Sequence, residues 1–297
     1  MQDEMRGTFA APVTPLKHDG QVDLEAIPHL VGWLADRGVD GVLALGTTGE
    51  GVLLNPKERR VVAEAFITAS RSRLHVIVHC GAQSTQSTVG LAEHALSSGA
   101  GGVAVIAPPY YPFDDQSLVS HFVAAAHACD PLPFYIYEFA ARSGYPVPLS
   151  VIREVRDTAP NLVGLKVSDS PWEKVEPYMR LGLKSFIGTE SFLKQALPLD
   201  AVGAVSGIAA ALPEAVVAAV ANPTEEWMNR LERIRHLLGQ FPFQAALKYL
   251  LTLRQVPITD ELRAPLRRLD ISERKAFDLV LPELLDQAGI KEPMPQL

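Results

Sequence analysis

Leu162-Val163-Gly164-Leu165-Lys166-Val167-Ser168-Asp169 is an apolar run that carries a single positive charge near its end. Residues 162–167 lack strict alternation and read as a strand buried on both faces, the kind found in a parallel sheet. Seven further runs of the same character lie outward from it, at 8–13, 41–45, 75–79, 102–107, 134–139, 185–187 and 201–205. Longer amphipathic segments separate them, and several show helix starts. Asn55-Pro56-Lys57-Glu58 offers an N-cap, a first-turn proline and a glutamate placed for a capping box. Ser170-Pro171-Trp172-Glu173 repeats that pattern, while Gly38, Gly99 and Gly182 stand where helices should end. Eight βα units in succession leave a closed barrel or a doubly wound sheet. No Gly-x-Gly-x-x-Gly follows the first strand, so the dinucleotide-binding sheet loses support. The expected fold is therefore α/β, a (β/α)8 TIM barrel over residues 1–222. A C-terminal helical extension over 223–297, where only helical periodicity is visible, is expected to pack on the barrel.

Bulk properties narrow the function. A chain of 297 residues, 47% hydrophobic and 21% charged, can bury a large core without disulfides. The formal net charge of −7 disfavours nucleic acid and anionic membranes as partners. An anionic substrate must then be drawn in locally, by an arginine or by backbone N–H groups. Cys80 and Cys129 lie in apolar runs, which suits a reducing compartment. The N-terminus shows no basic segment leading into an apolar one. The most apolar region, 201–221, is broken by Gly203, Ser206, Gly207, Pro213 and Glu214 and does not read as a membrane span. A cytoplasmic location is expected.

Catalytic groups of a barrel gather at the C-terminal ends of its strands. Lys166 stands there, and a lysine projecting into the barrel loses hydration; attack on a ketone requires its neutral amine. A lysine at a strand end can equally reach solvent or pair with an acid, so its neighbours decide. Gly46-Thr47-Thr48-Gly49-Glu50 follows the second strand, and its glycines allow a tight loop whose N–H groups converge on a carboxylate. Tyr137 closes the fifth strand, where a phenol can pass protons. Arg142, in the next loop, has the planar fork that suits a second carboxylate. Pro108-Pro109-Tyr110-Tyr111-Pro112 makes a stiff aromatic loop for a site or a subunit contact. Metal chemistry finds no support: the eight histidines are scattered and no Cys/His cluster stands at ligand spacing.

Together these segments resemble the dihydrodipicolinate synthase/N-acetylneuraminate lyase family of class I aldolases. The likeness runs in family order from Phe9-Ala10-Ala11-Pro12-Val13-Thr14-Pro15 to the helical tail. It implies a Schiff base between Lys166 and pyruvate or a related 2-oxo acid, with no other cofactor and no metal. It also implies that Gly46, Thr47 and Thr48 bind the carboxylate, that Tyr137 and Thr47 shuttle protons, and that Tyr111 enters from a neighbouring subunit. Gly188 and Val205 fall where the family lines its pocket. A homo-oligomer, a dimer of dimers, follows from the same likeness. Arg142 matches the arginine with which the synthase branch holds the carboxylate of its aldehyde. The alternatives are an aldolase or dehydratase of 2-keto-3-deoxy sugar acids and, from another class, a barrel that binds small molecules without catalysis. One departure stands beside Tyr137: Glu138 replaces the family's asparagine, and strand alternation points it away from the tyrosine's face. Another concerns regulation. Where lysine-inhibited synthases place His, Asn and Glu, this chain has Pro56, Arg59, Gln83 and Ser87, so insensitivity to free lysine is expected.

Overall fold

In a computed structural model, which describes residues 5–71 and 73–291, the eight runs form eight parallel strands. They are β1 (Gly7–Ala10), β2 (Gly41–Ala44), β3 (His75–His79), β4 (Gly102–Ile106), β5 (Phe134–Glu138), β6 (Leu162–Val167), β7 (Lys184–Ile187) and β8 (Ala201–Ser206). Each pairs with the next, and β1 pairs with β8 to close the barrel. Strand β1 stops at Ala10 rather than residue 13. Ala11 still donates to the Ser206 carbonyl at 2.8 Å, but Pro12 has no N–H to continue the ladder. The closing seam demands glycine: a Cβ on Gly203, whose φ is +147°, would sit 1.9 Å from the Gly7 carbonyl oxygen.

The barrel wall separates two cores. Phe9, Leu43, Ile77, Tyr135 and Phe186 fill the barrel, while a larger layer of Leu, Ile, Val and Ala packs between strands and helices. Most helix ends follow the sequence signals. Asn55 and Glu58 form the expected capping box at the helix Pro56–Ser70, and Gly38, Gly99 and Gly182 have φ of +78°, +83° and +68°. The capping box expected at Ser170 does not form. The helix Trp172–Met179 starts one residue later, with Pro171 in the cap position and no side chain to accept its orphan N–H groups.

Beyond residue 222 the regular elements among the described residues are three helices, Glu225–Leu238, Phe243–Leu253 and Ile271–Gln287, sharing the outer core. None of the described helices is long and apolar enough to cross a membrane. Lys248, on the second of them, reaches back to the barrel mouth. Its ammonium is buried 2.6 Å from a carboxylate oxygen of Glu50, off the line of an aligned hydrogen bond, and donates to the Glu261 carbonyl at 2.6 Å. The other Glu50 oxygen accepts from the Arg263 N–H at 2.7 Å. Glu50 takes a left-handed backbone, φ +57°, at the end of the loop after β2.

Alternation holds on β5. Tyr135 and Tyr137 point into the barrel, and Phe134, Ile136 and Glu138 point towards the helices. Glu138 is fully buried and accepts from the Val147 N–H at 2.9 Å. Burial pushes its carboxyl up to about 9; the Val147 N–H opposes the shift and the neighbouring Asp169 carboxylate adds to it. Tyr145 and Tyr178 are the other titratable groups near it, and the Tyr178 hydroxyl donates to the Val147 carbonyl at 2.8 Å. A protonated Glu138 outside the barrel wall puts no negative charge on the site.

Two outcomes follow. The folded protein holds a Glu138 proton that the unfolded chain releases above about 4.5. The resulting stability is complete below that pH and is lost as pH rises towards about 9. Glu138→Gln should therefore flatten the fall in urea midpoint across this window; an unchanged slope would assign it to other groups. Lys248→Met should cost about 3–5 kcal/mol by stranding the buried Glu50 carboxylate. Adding Glu50→Gln should recover most of that loss in equilibrium denaturation, and strictly additive losses would contradict the coupling.

Candidate active site

Register places the central pair. Tyr137 on β5 and Lys166 on β6 are direct partners across the ladder, and both side chains point inward. The Lys166 amine lies 3.7 Å from the centroid of the Tyr137 ring, a cation–π distance for the ammonium form. Lys166 is only 7% exposed. The Tyr137 hydroxyl reaches the Thr47 hydroxyl at 3.3 Å, joining the loop after β2 to the strand that faces the lysine. These three groups share one cavity of about 160 Å³.

The loop around Thr47 is fixed on several sides. Glu50 donates its N–H to the Thr47 carbonyl at 3.3 Å, and Gly51 donates to Gly46 at 3.2 Å. The Thr14 hydroxyl donates to the Gly49 carbonyl at 2.6 Å. Gln244, one helical turn before Lys248, donates its amide to the Thr47 carbonyl at 3.3 Å. Among the described residues the Thr47 and Thr48 N–H groups donate to no backbone carbonyl, and both residues line the cavity. Opposite, Gly188 keeps the wall open to Ser168: a Cβ there would lie 1.9 Å from the Ser168 hydroxyl.

Of the residues singled out in the sequence, Gly46, Thr47, Thr48, Tyr137, Arg142, Lys166, Gly188 and Val205 line this cavity. Arg142 is exposed at the rim, stacked over Phe139 at 5.5 Å, and makes no ion pair among the described residues. Tyr111 does not reach the cavity of its own chain. It is 63% exposed, edge-on to Tyr110 at 4.8 Å, in a loop where Tyr110 adopts φ +89°. Ser168, Thr189, Gly207, Arg235, Phe243 and Gln244 also line the cavity and were not singled out. The first three flank strand ends and were open to the reading that found Lys166. The last three come from the C-terminal helices, and no local pattern marks them.

Beside this cavity lies a hollow of about 650 Å³ that shares Thr47, Arg142 and Gln244 with it. Pro56, Gln83, Ser87 and His79 line it. His79 is a buried core histidine, edge-on to Tyr137 at 5.9 Å. Its imidazole is held down to about 3 by burial, then by Arg59 and Lys166, so it is neutral at ordinary pH. Arg59 also lines the hollow, donating to the carbonyls of His79 at 2.7 Å and Gly81 at 2.9 Å. His75 and His79 are four residues apart, but on a strand that spacing separates them by about 13 Å. Among the described residues no three His, Cys, Asp or Glu side chains group where they could hold a metal ion.

The fold and family of the chain are shown by its likeness to known proteins. The model of the dihydrodipicolinate synthetase family matches residues 4–284. An uncharacterised DapA-like lyase of Halobacterium salinarum is 33% identical over 291 residues, covering 94% of each chain. Human N-acetylneuraminate lyase is 34% identical over 210 residues, covering 68% of this chain and 66% of that protein. Among solved structures, the N-acetylneuraminate lyase of Proteus mirabilis superposes with a TM-score of 0.83 at 27% identity, covering 96% of this chain and 99% of that one. A match across nearly the whole chain, on a closed eight-stranded barrel, makes this protein a member of the dihydrodipicolinate synthetase family of lyases.

Proposed function

We propose that this protein is a class I lyase that binds pyruvate or a related 2-oxo acid as a Schiff base on Lys166 and makes or breaks a carbon–carbon bond. One observation carries the reading: a nearly buried amine lies against the Tyr137 ring, whose hydroxyl meets Thr47, in a cavity with two unused loop N–H groups.

In this mechanism the loop of Gly46, Thr47 and Thr48 holds the carboxylate, and the neutral Lys166 amine attacks the ketone carbon. Tyr137 gives a proton to the carbinolamine hydroxyl, which leaves as water, and an iminium remains. Loss of a proton from the adjacent carbon gives an enamine that adds to an aldehyde. Arg142, exposed at the rim and without an ion pair among the described residues, suits a carboxylate on that aldehyde and favours synthase-like addition. Read backwards, the same steps cleave a 2-keto-3-deoxy sugar acid to pyruvate. The hydroxyls of Ser168 and Thr189 and the Gln244 amide in the lining favour this second reading.

Tyr111 completes the relay from a neighbouring subunit in this proposal, within a homo-oligomer. Its exposed aromatic loop and the hollow lined by Val52, Leu54 and Pro109 beside Thr47 support that arrangement.

Pyruvate release from sugar acids and pyruvate consumption with an aldehyde panel test the proposal. Lys166→Ala should abolish turnover of every accepted substrate, and a chelator should leave the wild type unchanged. Tyr137→Phe should cut turnover by about 10²–10⁴-fold, with a far smaller effect on adduct formation. An active Lys166→Ala variant, or full loss of activity on chelation, would refute it.

A further inference from the structure

A second arginine lines the cavity, and its setting differs from that of Arg142. Arg235 lies in the last turn of the helix Glu225–Leu238 and is 40% exposed. One of its terminal nitrogens donates to Glu190, whose side chain is completely buried just after β7. The other Glu190 oxygen accepts from the Ser206 hydroxyl at the end of β8, and Ser206 in turn accepts from the Ala209 N–H at 3.0 Å. The remaining N–H groups of Arg235 donate to nothing among the described residues.

A buried carboxylate is costly to desolvate, and an ion pair built on one adds little to stability. What this pair does is hold a long, flexible side chain in one orientation at the cavity wall. A guanidinium fixed through one nitrogen presents its other donors at a set position, which reduces the ordering cost when a ligand oxygen binds them. Arg142 approaches from the β5 side and Arg235 from the β7–β8 side, so the two cations serve different parts of a bound molecule.

We infer that Arg235 is a specificity-determining residue for this site. It donates hydrogen bonds to a hydroxyl or carboxylate oxygen on the substrate's tail, beyond the carbons that react on Lys166. Glu190 and Ser206 are positioning residues that aim it. The inference rests on the Schiff-base reading above and deepens it: the second substrate is an aldehyde with an oxygen-bearing tail, not a simple alkyl aldehyde.

The test is pyruvate-dependent addition to three aldehydes of similar length, ending in a hydroxyl, a carboxylate or a methyl group. The wild type should prefer at least one oxygenated tail. Arg235→Met should lower kcat/KM for that tail by about 10–100-fold, the loss of a charge-assisted hydrogen bond, mostly through KM. Activity with the alkyl aldehyde should change less than about two-fold, and Arg235→Lys should recover part of the loss. The oxygenated substrate that suffers more identifies hydroxyl or carboxylate as the group read. Adding Glu190→Gln to Arg235→Met removes the stranded acid, and the selective loss should persist in that double variant. Equal losses on all three tails, or a wild type with no preference for oxygen, overturn the inference. Borohydride trapping of pyruvate, run in parallel, separates the two levels. If Arg235→Met traps pyruvate normally but shows no selective loss, only this inference fails; if the wild type traps none, the Schiff-base reading fails and takes this inference with it.

Discussion

The whole site depends on one placement: an amine at the end of β6 is held inside the barrel rather than outside it. Strand periodicity is two, so a slip of one residue would swing Lys166 into the helical layer that Leu165 and Val167 now occupy. The ladder that sets Tyr137 opposite Lys166 fixes the phase of both strands together. The same closure carries the loop after β2 to the tyrosine, so Thr47, Tyr137 and Lys166 meet although the chain separates them widely. Removing them from water is what lets short-range contacts govern the amine.

Around that centre, the three buried glutamates among the described residues are managed in three ways. Glu50 is paired with Lys248 and ties the loop after β2 to the C-terminal helices. Glu190 is paired with Arg235 and orients a cation at the cavity wall. Glu138 has no cation beside it and takes up a proton instead, its carboxyl raised to about 9 mainly by burial. Each solution avoids an uncompensated buried negative charge near the cavity. The C-terminal helices are therefore part of the active site as well as its cover, supplying Arg235, Phe243 and Gln244.

Much of this was legible in the sequence, for local reasons. Short apolar runs separated by amphipathic segments reveal eight strands, because both faces of a barrel strand are buried. Lys166 stood out as a charge in such a run, and Gly46–Glu50 as a glycine-bounded turn beyond another. Alternation alone predicted the direction of Glu138. Its protonation was not legible, since that depends on Asp169 and on burial between helices. Nor was the role of Gln244, which meets Thr47 across 197 residues. Ser170 misled because its cap pattern was satisfied in sequence while the helix began beyond Pro171. Tyr111 is exposed and does not line the cavity of its own chain, so the part proposed for it depends on a neighbouring subunit.

The most direct test of the central claim is covalent. Incubation with pyruvate and borohydride, followed by intact-mass measurement and peptide mapping, should show one reduced pyruvyl adduct per chain, on Lys166, and none in Lys166→Ala. An adduct on another lysine, or no adduct at saturating pyruvate, would contradict the account.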